Sequence, residues 1–316
     1  MKRTRTLLAL LVAFAMFAAA CGGDDDDDGG SEGAPEDIEV PEGPDITIGA
    51  QDFGESAILA QIYGQALDAA GYPVSYQDVG GFRDVSFAAF ESGDINMTAE
   101  YAASALEFLN EFAGEASNDA DATVEALKPR LEEKDIVAYD YAPAVDTNSF
   151  VVTQETADEF GLESIADLAE NASELRLGGP PDCEENAFCI PGLKEVYDVD
   201  LSANFVSLDG GGPLTVEALQ GDEIDVAVLF TTNGVIAEEG WVILEDPEGL
   251  FNADNVIPIA TNEVDEAYGE DFASVLNAVS AQLTTEELTE LNRRFDIDKE
   301  DADVIAKDWL TEYDLI

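Results

Sequence analysis

Two stretches decide the fold: Val85–Tyr101, VSFAAFESGDINMTAEY, and Thr215–Phe230, TVEALQGDEIDVAVLF. Each reads as a short helix, a Gly-Asp turn, an apolar strand opened by Ile, and a terminal aromatic ring, Tyr101 in one and Phe230 in the other. A repeated helix-turn-strand unit implies two similar lobes. A ring at a strand's carboxyl end invites a ligand, because open α/β sheets bind ligands just beyond those ends. A core role for each ring is the competing reading.

The surroundings of both units repeat the alternation. Upstream of the first lie the alternating strand DITIGAQ, the helix GESAILAQIYGQALDAAGY and the strand PVSYQDVGG. Ile58, Leu59, Ile62 and Leu67 form the apolar stripe of that helix, and Gly71 stops it. The β-α-β-α-β order with short connections argues a parallel sheet. Downstream come the helices AASALEFLNEFAG and ATVEALKPRLEEKD and the strand IVAYDYA. Around the second unit, SFVVTQ, LRLGG, GWVILED and NVIPIATNEV read as strands, and SIADLAENASE and PGLKEVYDV as helices. Three helices close the chain, the middle one capped by Thr284 or Thr285.

The amino terminus has another character. Lys2, Arg3 and Arg5 precede the apolar run Leu7 to Ala20, a signal-peptide pattern over residues 1–20 that is too short for a comfortable membrane span. The run ends FAAAC, which resembles a bacterial lipobox with Cys21 as the lipidated residue, although Ala18 stands where Leu is preferred. Residues 21–44 are rich in Gly, Pro and acid and are expected to be a solvated tether. Asp24 to Asp28 within it are a self-repelling run rather than a metal site.

Composition narrows the function. Among 316 residues there are 70 Asp and Glu against 13 Lys and Arg, a formal net charge of -57. That surface excludes nucleic acid and anionic lipid as partners and suits a salty medium. The chain has no histidine, which removes His-based catalytic triads, His metal ligands and imidazole proton shuttles. LDGGGPLT lacks the Lys-Ser/Thr of a phosphate loop, so Gly210 to Gly212 read as a close turn before a helix. No metal, cofactor or enzymatic activity is expected. Cys183 and Cys189, in PPDCEENAFCIPG, are expected to form a small disulfide in an exported chain.

Cation–π chemistry does have its parts. Phe53, Tyr101, Phe150 and Phe230 all fall at strand ends or in the turns that follow. A quaternary ammonium cannot donate hydrogen bonds, and each ring around it contributes roughly 0.5–2 kcal/mol. Arg83, in GGFRDV at a helix start, reads equally as a carboxylate clamp and as a surface ion-pair partner.

At this point ITIGAQDFGESAILAQIYGQALDAAGY, GGFRDVSFAAFESGDINMTAEYAASALEFL, SLDGGGPLTVEALQGDEIDVAVLFTT and WVILEDPEGLFNADNVIPI together resemble the osmoprotectant-binding lipoproteins of ABC importers, the glycine betaine/carnitine/choline-binding subunits. The resemblance runs from Asp45 to the carboxyl terminus. It implies a type II periplasmic-binding-protein fold: two α/β lobes joined by two crossover strands, with a ligand cleft between them. Lobe I would hold residues 45–145 and 256–316, and lobe II residues 146–255, with crossovers near Pro143–Asp146 and Asp254–Pro258. It also implies an extracytoplasmic, lipid-anchored monomer that receives a small osmolyte and delivers it to an ABC permease. In that family tyrosines cage a trimethylammonium group. Tyr101 in AEYAAS matches the first; TNSF, with Asn148 and Phe150, and LFTT, with Phe230 and Thr231, match two others with Phe in place of Tyr. Ser56 falls where choline-binding members often carry Gln, and Phe251 is the nearest ring to a last cage position. A receptor for another small amine or amino acid, or a sensor or adhesion lipoprotein, are the alternatives.

Overall fold

A computed structural model describes residues 42–80 and 83–316. The signal segment, Cys21, the tether up to residue 41, Gly81 and Phe82 lie outside the described residues.

Lobe I begins with β1 (Ile46–Ala50), α1 (Gly54–Ala69), β2 (Val74–Asp78), α2 (Arg83–Ser92), β3 (Met97–Tyr101), α3 (Ala102–Leu109), α4 (Ala120–Glu132) and β4 (Ile136–Ala138). The chain then crosses into a second sheet through β5 (Asn148–Val152), α5 (Gln154–Phe160), β6 (Leu177–Gly179), α6 (Ile190–Tyr197), β7 (Phe205–Ser207), α7 (Pro213–Gln220), β8 (Val226–Phe230), α8 (Gly234–Glu239) and β9 (Val242–Ile243). It returns as β10 (Val256–Thr261), and α9 (Asn262–Ser280), α10 (Thr285–Asp296) and α11 (Ala302–Glu312) complete it.

The two sheets have matching orders, β2-β1-β3-β10-β4 and β7-β6-β8-β5-β9. In each, three strands run parallel and the strand beyond the central one is antiparallel to it. The two passages between sheets lie side by side. Val145 and Asn255 form an antiparallel bridge, and the Asp146 amide donates to the Asp254 carbonyl at 3.1 Å. This is the two-lobed fold with paired crossovers that the resemblance implies.

The sequence echo extends to single hydrogen bonds. The amides of Ile95 and Ile224 donate to the carbonyls of Ala89 and Ala218, both at 3.3 Å. One residue on, the amides of Asn96 and Asp225 donate to Thr47 and Arg176 carbonyls at 3.0 and 2.9 Å. Their side-chain oxygens accept from the Thr47 and Arg176 amides, both at 2.8 Å. The two isoleucines lie over Gly49 and Gly178 of the neighbouring strands, where an added Cβ would collide with them. Both lobes therefore fix their central strand, and the ring at its end, by one device.

Separate apolar cores fill the two lobes. Ile58, Leu59, Ile62 and Leu67 of α1 are wholly buried, against α9, α10 and α11. Thr284 caps α10, its hydroxyl accepting from the Glu287 amide at 3.2 Å. The run NVIPIATNEV is a strand over Val256–Thr261, as read, but its last three residues are helical. Pairing stops at Thr261, and Asn262 opens α9, which is broken at Gly269 by a φ of 63° that glycine tolerates. SIADLAENASE forms a 3₁₀ turn over Ile165–Glu170 rather than an α-helix, fastened by a Ser164–Asp167 capping box. Cys183 and Cys189 are joined as a disulfide, their Cα atoms 5.1 Å apart.

Candidate functional site

The carboxyl ends of β1, β3 and β8 open onto a cavity of about 540 Å³ between the sheets. Phe53 precedes α1 and is 40% exposed; Phe230 is the last residue of β8 and is 46% exposed. Tyr101, the last residue of β3, is 5% exposed, and its ring centroid lies 6.4 Å from that of Phe53. All three rings line the cavity. Single exposed apolar side chains are ordinary; what singles out Phe53 and Phe230 is that both open onto one cavity beside Tyr101.

Polar groups converge on the same space. The Tyr101 hydroxyl donates to Glu55 Oε1 at 2.5 Å, which fixes the ring's attitude. Glu55 Oε2 accepts from Asn292 Nδ2, which also donates to the Thr232 carbonyl at 2.8 Å. The Thr232 hydroxyl in turn donates to Asp146 Oδ1 at 2.9 Å. This chain of contacts runs from β3 and α1 through α10 to the turn after β8, so it crosses from one lobe to the other. Asp254 accepts from the Ser104 amide at 2.9 Å, at the start of α3.

Arg83 lies at the same opening, and its Nε donates to both oxygens of Glu100, at 3.1 and 2.9 Å. Glu100 is wholly buried and also accepts from the Tyr101 amide at 3.0 Å. No partner for the terminal guanidinium nitrogens is found among the described residues. The ion-pair reading of Arg83 is the one the geometry shows: its Nε edge is anchored on Glu100, and its charge also acts on Asp254, which lines the same cavity.

Burial raises the carboxyl groups of Glu55, Asp146 and Asp254 above the usual carboxylate range. The repulsion between Glu55 and Asp146 adds to the Asp146 shift. Among the described residues no three acidic or cysteine side chains are grouped so as to hold a metal ion.

The other expected site residues are placed differently. Phe150 is the third residue of β5, wholly buried in the core of lobe II against Phe251, with ring centroids 5.6 Å apart. It does not line the cavity. Ser56 closes the turn into α1, its hydroxyl accepting from the Gln51 amide at 2.9 Å. Thr231 stitches β8 to the crossover, donating to the Val145 carbonyl at 2.7 Å and accepting from the Thr147 amide at 3.1 Å. Asn148 borders an adjoining cavity of about 330 Å³. Glu55, Asp146, Asp254 and Asn292 were not singled out by the sequence. In a chain this acidic a carboxylate carries no signal, and Glu55 and Asn292 are 237 positions apart.

Comparison with known proteins gives a consistent picture. Residues 44–312 match the family described as the substrate binding domain of ABC-type glycine betaine transport systems. A glycine-betaine-binding protein of Pseudomonas aeruginosa is 26% identical over 281 residues, covering 86% of this chain and 88% of its own. A carnitine transport binding protein of Listeria monocytogenes is 25% identical over 268 residues, covering 84% and 85%. A crystal structure described as a glycine betaine/carnitine/choline ABC transporter superimposes with a TM-score of 0.79 at 24% identity, covering 86% of this chain and 99% of that one.

Proposed function

The chain belongs to the family of substrate-binding domains of ABC-type glycine betaine transport systems, and from that premise we propose that it is a lipid-anchored receptor, held by Cys21, for a quaternary-ammonium compatible solute such as glycine betaine. The observation that carries this reading is the meeting of Phe53, Tyr101 and Phe230 in one cavity beside Arg83. The rings receive the methylated head, which needs no hydrogen-bond acceptor, and the guanidinium receives a carboxylate. The solute draws the lobes together across the Glu55–Asn292–Thr232 contacts, and the closed form is presented to the permease. Titration calorimetry with glycine betaine, proline betaine, carnitine and choline tests this. Binding by at least one is expected, and silence from all four overturns the assignment.

One observation favours a second reading, a receptor for another small amine. Glu55, Asp146 and Asp254 give the site more carboxylates than a zwitterion needs, and Asp146 Oδ2 has no donor among the described residues. An ammonium or hydroxyl group would supply one. A primary amine that outcompetes glycine betaine in the same titration identifies this case.

The raised carboxyl groups set a pH dependence of definite sign. A carboxyl whose pKa is raised by folding contributes stability below the unfolded value, near pH ~4, and loses it as pH rises through the folded value. A cationic head favours the ionised forms, so its binding releases protons within that window. Affinity for a cation is therefore expected to rise with pH above ~4 and then level off, while the unliganded protein loses stability over the same range. Calorimetry in two buffers of different ionisation enthalpy reads the proton release directly. A binding enthalpy independent of buffer would remove these carboxylates from the site.

A further inference from the structure

Beyond Arg83, Ser104, Asp146, Phe230 and Asp254, which border both spaces, the first cavity continues into the adjoining one of about 330 Å³. This second chamber is walled by five phenylalanines: Phe108 and Phe112 from lobe I, and Phe188, Phe230 and Phe251 from lobe II. The first chamber alone lies within the roughly 300–1,000 Å³ that encloses a drug-sized ligand, so a small betaine leaves the second unfilled. We propose that the second chamber is a subsite for an aryl or branched alkyl arm attached to the cationic head. The site then accepts an extended quaternary-ammonium compound as well as a minimal osmolyte, and favours the former. This rests on the aromatic-cage reading of the first chamber.

The walls are built in advance of any ligand. Phe108 stacks on Phe87, with centroids 5.4 Å apart and planes at 20°, and Phe251 packs on Phe150. Phe188 projects from the loop stapled by Cys183–Cys189, and its amide donates to Asn186 Oδ1 at 2.9 Å. That loop is seated on α6 so closely that a Cβ on Gly192 would overlap the Ala187 carbonyl. Phe112 is held with φ at 60°, a conformation costly for a bulky side chain, while its amide donates to the Glu107 carbonyl at 2.7 Å. Phe112 is 78% and Phe188 40% exposed. Two open rings facing one cleft from opposite lobes gain burial when something apolar lies between them. An arm in this position also gives lobe closure an apolar contribution that a bare ammonium cannot supply.

The test is a matched pair of ligands, tetramethylammonium and benzyltrimethylammonium, which share the head and differ by the aryl arm. Benzyltrimethylammonium is expected to bind the unaltered protein at least about tenfold more tightly. Phe112→Ala and Phe188→Ala, both at open positions, are expected to remove most of that advantage and leave tetramethylammonium binding unchanged. Equal affinity for the two ligands, or an advantage that survives both substitutions together, overturns the subsite and leaves the cage intact. Failure of both ligands to bind overturns the cage reading and the subsite with it.

Discussion

Tyr101→Ala is expected to weaken binding of a quaternary-ammonium solute by more than about tenfold, measured by calorimetry against the unaltered protein. Three losses act together. One π-face is removed from the three rings that line the cavity, worth roughly 0.5–2 kcal/mol on its own in the proposed reading. Glu55 Oε1 loses the hydroxyl that satisfies it, in a site already short of donors. The space left beside Phe53 lets that ring turn away, since Tyr101 is its aromatic neighbour. Tyr101→Phe separates these terms, because it keeps the face and removes only the hydroxyl. A loss well below that of Tyr101→Ala is expected for it. If Tyr101→Ala binds as before, Tyr101 is a core residue and the cage is wrong.

That Tyr101 and Phe230 line the cavity while Phe150 does not has a geometric cause. Tyr101 and Phe230 are the last residues of β3 and β8, so their side chains stand at the mouth of the cleft. Phe150 is two residues inside β5, and at about 3.3 Å per residue it falls past the opening into the core. Asn148, at the strand's first position, is the one that reaches a cavity. The helix-turn-strand echo was readable because each lobe must set its central strand by local means, with Gly-Asp turns and an Ile over a Gly. The polar relay was not readable. Glu55, Asn292, Thr232 and Asp146 come from four distant segments, and only the return of the chain through β10 brings α10 to α1.

The same acidity that hid the site carries the other large effect. Thermal stability is expected to rise by about 10 °C or more between ~0.01 and ~1 M NaCl, followed by circular dichroism. With 70 acidic and 13 basic residues, there are too few cations to pair with most of the carboxylates. Arg83, Arg130, Lys134, Arg176, Lys194, Arg293 and Arg294 already hold carboxylate partners, Arg293 three of them and Arg294 two. Screening therefore weakens a few attractions and a great many repulsions, and the net sign favours the folded state. The range of those repulsions falls from about 30 Å at 0.01 M to about 3 Å at 1 M, that is, from the span of a lobe to a single contact. A gain of only ~3–5 kcal/mol is enough, since each 1 kcal/mol shifts a midpoint by about 2–4 °C in a chain of this size. The rise should also depend on ionic strength rather than on the salt. Equal ionic strengths of sodium and potassium chloride are expected to give the same midpoint, whereas a large difference between them would point to specific cation binding. A midpoint that is flat or falling from 0.01 to 1 M would mean that the folded state arranges its charges to avoid repulsion, and the acidic surface would then need another explanation.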